Sequence, residues 1–223
     1  MEISFFPREK VITVPVEEAT YPFEINGEFP YIVDFFCDRD SDHPYFHENF
    51  FCSWMDSLNH YPIYSLAEIH DFQQAEYEEL FKRQNIAFHY MQVNRKDRLY
   101  VKATIRSPQQ FNEYYPYLYG NGGMLNLSLW SLKHDVFGME QREYESPYPV
   151  KRTKKNRTRL FKLKWMANTP IVTLTEGSTL FWVGYDGDYI TALSNDERFA
   201  TKESLQQMIP EKVELIMDVY DYE

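Results

Sequence analysis

The densest set of groups able to do chemistry lies early in the chain. Asp38, Asp40 and Asp42 alternate there, and His43 and His47 follow. Alternating carboxylates can converge on a hard cation, and two histidines four apart on a helix can share a transition metal. Together the five residues would suit a metal-dependent hydrolase. The pattern is not that of a calcium loop, because His43 stands where the sharp turn needs glycine and Asn49 where a bidentate glutamate belongs. Pro44 argues against a helix running from His43 through His47. A solvated polar loop with aromatic anchors accounts for the same residues, so no metal ligand is assigned and no cofactor is expected.

A second concentration is cationic. Lys151, Arg152, Lys154, Lys155, Arg157 and Arg159 fall within nine residues, and 151–164 holds eight basic residues and no acidic one. Such a cluster can track phosphates, with Trp165 nearby for stacking. A solvated loop, or docking onto the protein's own acidic surface, is the blander reading and the weightier one. The whole chain carries −11, with residues 1–150 at −11 and 165–223 at −8. That acidity disfavours broad contact with nucleic acid or an anionic membrane and suits a basic protein partner. The six cations are the candidate contacts for an anion or partner. Nucleic acid is an alternative through 151–164 alone, and no membrane association is expected.

Covalent catalysis finds little support. The chain has no G-x-S-x-G, phosphate-binding loop, G-x-G-x-x-G or H-E-x-x-H. Cys52 lies five residues from His47, but sequence proximity does not make a catalytic pair. His60, His70, His89 and His134 stand apart from one another, and His89 reads as a packed strand residue. Two cysteines, Cys37 and Cys52, are too few for a disulfide scaffold and read as free thiols in a reducing compartment. The first residues, MEISFFPREK, lack a secretory pattern, so a cytoplasmic location is expected.

The elements that must position these groups follow from local pattern. Eighteen Tyr, 17 Phe and four Trp supply ample core material. Val11–Val16, Tyr31–Phe36, Ile86–Val93, Arg98–Ile105, Met124–Trp130, Arg159–Trp165, Ile171–Leu174, Leu180–Tyr185 and Val213–Val219 read as strands. Cys37 to Tyr64 reads as irregular. Ser65 and Glu68 form a capping-box pattern, which predicts a helix from Ser65 to near Asn85. Ser107-Pro108 opens a second helix, cut short by Pro116 and ended by Gly120, Gly122 and Gly123. Asp186-Gly187 predicts a hairpin, and Thr201 caps a helix to about Met208. The tyrosines from Tyr114 to Tyr119 suit either a recognition surface or the core. Strands and helices do not alternate regularly, so an α+β fold is expected: largely antiparallel sheet, with a few short helices packed on one side. Residues 1–132 form an N-terminal part, 133–158 a loop or linker, and 159–223 a β-rich C-terminal part, unless the two ends make one continuous domain.

An aromatic helix ending in Asn121-Gly122-Gly123, then Asp186-Gly187-Asp188-Tyr189, then a late helix, resembles the SUKH superfamily of bacterial immunity proteins over about the last half of the chain. Pro116 and the absence of a glycine run before Asp188-Tyr189 depart from that pattern. The resemblance implies a non-catalytic fold that neutralises a toxin by binding it. With acidity, many aromatics and no catalytic motif, the expectation is a non-enzymatic intracellular immunity, antitoxin or inhibitor protein.

Overall fold

Strand-forming runs dominate the chain, and nine of them hydrogen-bond into one sheet. The computed structural model describes residues 2–7, 13–14, 22–36, 46–91, 98–146, 148–154, 157–184, 187–210 and 216–219. The elements in the first half are β1 (Glu2–Pro7), β2 (Thr13–Val14), β3 (Glu24–Asn26), β4 (Tyr31–Phe36), α1 (Phe46–Leu58), β5 (Ile63–His70), α2 (Gln74–Arg83), β6 (Ala87–Met91), β7 (Arg98–Ile105) and α3 (Pro108–Gly123). The second half adds β8 (Ser128–Leu132), β9 (Phe137–Glu145), β10 (Val150–Lys154), β11 (Arg157–Phe161), β12 (Lys164–Thr173), β13 (Thr179–Val183), β14 (Tyr189–Ser194), α4 (Lys202–Met208) and β15 (Ile216–Val219).

The large sheet has the order β15-β1-β4-β14-β13-β8-β5-β7-β6, and only the β1–β15 pair is parallel. Strands distant along the chain alternate within it, since β4 pairs with β14 and β8 with β13. Side chains alternate across a strand, so each strand feeds two cores. On one face Ile63, Ala67, Trp130, Phe181 and Ile190 pack with Trp54 of α1, Phe81 of α2, Tyr115 of α3 and Leu205 of α4. All four helices therefore cover the same face. On the other, Leu66, Leu129, Leu180, Trp182 and Leu193 meet Phe23, just before β3, and Ile25, Phe137 and Val172 of a second sheet, ordered β2-β3-β12-β9. The architecture is α+β, built mostly of antiparallel sheet. Among the described residues no helix is long and apolar enough to cross a membrane.

The aromatic residues fill the helix-side core. Trp130 and Phe181 stack at 4.9 Å, and Phe51 meets Trp130 edge-on at 5.8 Å. Tyr114 and Tyr115 are fully buried, so much of that tyrosine run is core rather than recognition surface.

Several local expectations are corrected. Ser65 opens no helix: Ile63–His70 is a strand, held by β7 on one side and β8 on the other. Leu66 and Ile69 satisfy a helical spacing, but Ile63, Ser65, Ala67 and Ile69 are buried on one face at period two, and pairing on both edges decides the state. The helix begins at Gln74, after a single 3-10 turn at Asp71–Gln73. Pro116 does not shorten α3, which runs 16 residues through it. Burial of Phe111, Tyr114, Tyr115 and Leu118 on one stripe outweighs one missing donor. The stretch read as irregular contains α1, where Phe50, Phe51, Trp54 and Met55 mark a helical stripe. The strand expected over Met124–Trp130 starts only at Ser128, after a turn in which Leu125 has φ 65°. Within 133–158, read as a loop or linker, lie the strands β9 and β10. Arg159–Trp165 is divided between β11 and β12. β13 and β14 do form the antiparallel hairpin around Gly187 (φ 71°), while Asp186 lies outside the described residues.

Candidate functional site

β9 and β12 are long strands with two environments. At their inner ends Phe137 and Val172 are buried against the large sheet. Farther out, Lys164, Trp165 and Met166 are all exposed in succession, so both faces of β12 meet solvent. The pair therefore leaves the body as a two-stranded arm. Ser146 joins its halves, its N–H donating to the Leu163 carbonyl (2.8 Å) and its hydroxyl accepting from the Leu163 N–H (3.1 Å). Beyond that joint, β10 and β11 pair as a separate ribbon.

The ribbon's register decides its chemistry. Val150 lies opposite Phe161, Arg152 opposite Arg159, and Lys154 opposite Arg157. Directly opposite residues share a face, so these six positions fall together. The alternate face holds Lys151 opposite Leu160 and Thr153 opposite Thr158. Like charges directly opposite one another destabilise a strand pair, and this hairpin has two such pairs in succession. Of the candidate contacts, Lys151 and Arg152 are exposed. Lys154, Arg157 and Arg159 are placed by backbone register, and Lys155 lies outside the described residues. The two downstream cations of the segment behave differently. Lys162 pairs with Glu145 at 3.1 Å and Lys164 with Glu143 at 2.7 Å, both at the outer end of the β9–β12 pair.

The arm also concentrates apolar surface. Among the described residues ten large apolar side chains are exposed, and seven lie between Tyr148 and Met166. Leu160 is 66% exposed, and Leu163, Trp165 and Met166 each close to half. Contiguous exposed apolar groups rimmed by charge mark interaction sites. Trp165 stacks on Tyr144 at 6.0 Å across the strand pair, which pre-orders its ring. Sequence reasoning found the charge and missed this surface. Its signal was the alternation of β9, in which Glu143 and Glu145 flank Tyr144.

The acidic and histidine cluster is not assembled from described groups. Asp38, Asp40, Asp42 and His43 lie outside the described residues. His47 is in the first turn of α1, and its side chain also lies outside them. Among the described residues no three His, Cys, Asp or Glu side chains are grouped to hold a metal. His89 is exposed on the edge strand β6, which corrects the expectation of a packed histidine. Cys52 is partly buried on α1, and Cys37 lies outside the described residues.

Two polar clusters outside the arm are structural. Asp196 accepts two hydrogen bonds from Arg198 Nε and one from its Nη2, with Lys133 at 3.6 Å. Burial pushes the Asp196 carboxyl up, but these bonds and charges hold it below the usual carboxylate range. His60 is lowered by burial first and then by Arg198 and Lys133. Asn121, 1% exposed, donates to the Glu68 carbonyl (2.8 Å) and the Ser128 hydroxyl (3.0 Å) and accepts from Asn126 (3.1 Å). It thus ties the end of α3 to the β5–β8 ladder.

Comparison of the chain with family models, with curated proteins and with solved structures returned no match.

Proposed function

We propose that this chain is a non-enzymatic binding protein that works by protein–protein association, with the projecting arm as its docking surface. The observation that carries the reading is the placement of seven of ten exposed large apolar side chains on that one hairpin. Leu160, Leu163, Trp165 and Met166 supply the apolar contact, and a body rich in acid supplies orientation. Outside Lys151–Arg159 the chain has 17 basic and 34 acidic residues, a net −17. A basic protein partner is steered toward such a surface. In its finer form the reading is an intracellular, cytoplasmic protein of the immunity, antitoxin or inhibitor kind, the class suggested by the order Asn121-Gly122-Gly123 and Asp188-Tyr189.

The test compares the tagged wild-type chain with a Leu160→Ser/Trp165→Ser variant in its native host, by quantitative identification of co-purifying proteins. One partner enriched with the wild type and lost with a variant of unchanged melting temperature is the expected result. Identical co-purifying sets from both chains would refute the arm as the docking surface.

A further inference from the structure

We propose that the ribbon formed by β10 and β11 is a duplex-DNA-binding arm, and that its face of positions 152, 154, 157 and 159 meets the phosphates lining the major groove. This goes beyond the association reading, whose named contacts Leu160, Leu163, Trp165 and Met166 lie on the alternate face or at the joint, although Val150 and Phe161 share the cationic face. Three observations carry it. First, the register sets Arg152 against Arg159 and Lys154 against Arg157. Two adjacent like-charged pairs disfavour the hairpin by themselves, and an anion flanking both strands removes the repulsion. Second, the dimensions correspond. Same-face positions on one strand recur every second residue, about 6.8 Å apart, which is twice the roughly 3.4 Å axial spacing of charges along one DNA strand, so successive cations of the face match alternate phosphates. The major groove, about 12 Å wide, admits a two-stranded ribbon. Third, no acidic residue interrupts positions 151–164, whereas the rest of the chain is net −19. A polyanion is repelled from the body and admitted only at the ribbon, which fixes the orientation of approach.

An acidic protein surface would satisfy the charge, but not the demand for anions at regular spacing on both edges of a ribbon. Each phosphate neutralised contributes about 0.9 to the slope of log affinity against log salt. Four contacts then predict affinity falling about 150-fold from about 50 mM to about 200 mM KCl.

The experiment is fluorescence anisotropy of a labelled duplex of about twenty base pairs with the full-length protein across that range. The Arg152→Gln/Arg159→Gln variant should weaken binding at low salt and reduce the salt effect to about 12-fold. The Lys154→Gln/Arg157→Gln variant should do the same, so the result does not hang on one pair. Each variant removes a like-charged pair of the register and should keep the fold, which circular dichroism checks. No binding at the lowest salt would overturn the proposal, as would an unchanged salt dependence in both variants. Equal affinity for polyglutamate of matched charge would overturn it too, by showing a generic anion surface. The apolar variant Leu160→Ser/Trp165→Ser reads the association function separately. DNA binding can therefore fail while partner capture stands, and the reverse.

Discussion

Asn121→Ala should be among the most damaging single polar changes in this protein. Asn121 is 1% exposed and sits where the β5–β8 ladder ends. Glu68 N–H donates to the Leu127 carbonyl at 2.8 Å, and on the same edge its carbonyl accepts from Asn121 Nδ2. Truncation removes that bond, the bond to Ser128 and the bond from Asn126. The Leu127 carbonyl keeps its Glu68 donor, and the Ser128 hydroxyl can rotate. The Glu68 carbonyl and the Asn126 amide are then deprived of Asn121 in a buried setting. A lost hydrogen bond costs about 1 kcal/mol, and a buried group left unsatisfied about 1–3 kcal/mol. The expected loss is therefore about 3 kcal/mol, which lowers the melting temperature of a chain this size by about 6–12 °C. Urea unfolding reads it, with an unchanged denaturant slope showing that both states keep their compactness. Asn121→Asp preserves shape but turns an acceptor toward the Glu68 carbonyl, so it should be worse than alanine. A loss below about 1 kcal/mol for both variants would refute the claim that this side chain completes the ladder.

Two further outcomes are expected. A Cβ on Gly122 would lie 2.4 Å from Val183 Cγ1, so Gly122→Ala should lower stability although alanine favours a helix by about 1 kcal/mol over glycine. Adding Val183→Ala should recover part of that loss, and a single variant more stable than the parent would show that α3 does not pack as described. His60 has a folded pKa below its ordinary 6.5, through burial and then Arg198 and Lys133. The unfolded chain therefore takes up the proton first as pH falls through that value, so His60 adds a loss of stability on acidification. Melting temperatures between about pH 7.5 and about pH 5 should fall less in His60→Asn than in the parent, and identical profiles would refute the assignment.

The sheet-and-helix class was readable because strand alternation and turn chemistry act over a few residues. Arg98–Ile105 reads as a strand and is one, and Thr201 caps a helix to Met208 as expected. Ile63–His70 misleads for a physical reason. Its apolar spacing serves either state, and what settles it is two neighbouring strands, one of them over 30 residues away in sequence. Pro116 misleads likewise, because the packing of Tyr114, Tyr115 and Leu118 lies in tertiary structure. The six cations were visible as composition. Their meaning was not, since opposition of Arg152 to Arg159 depends on where the hairpin turns.

Opposite charge on one chain raises the question of why the ribbon does not lie down on the body. The joint answers it. Lys162–Glu145 and Lys164–Glu143 neutralise cations at the outer end of β12, and Ser146 locks the joint to Leu163. Surface pairs of this kind contribute little to global stability, and here they balance two cations beside the joint. Past the joint, a five-residue strand extends about 17 Å, about twice the physiological Debye length of roughly 8 Å. The far end of the ribbon is therefore screened from much of the body's negative field. A chain of net −11 can then present a cationic edge to one ligand and an acidic surface to another, and the two need not compete. Shortening β9 and β12 would bring the near end of the ribbon, positions 152 and 159, closer to the body's negative field and should weaken polyanion contact there, even with every arginine and lysine of 151–159 retained.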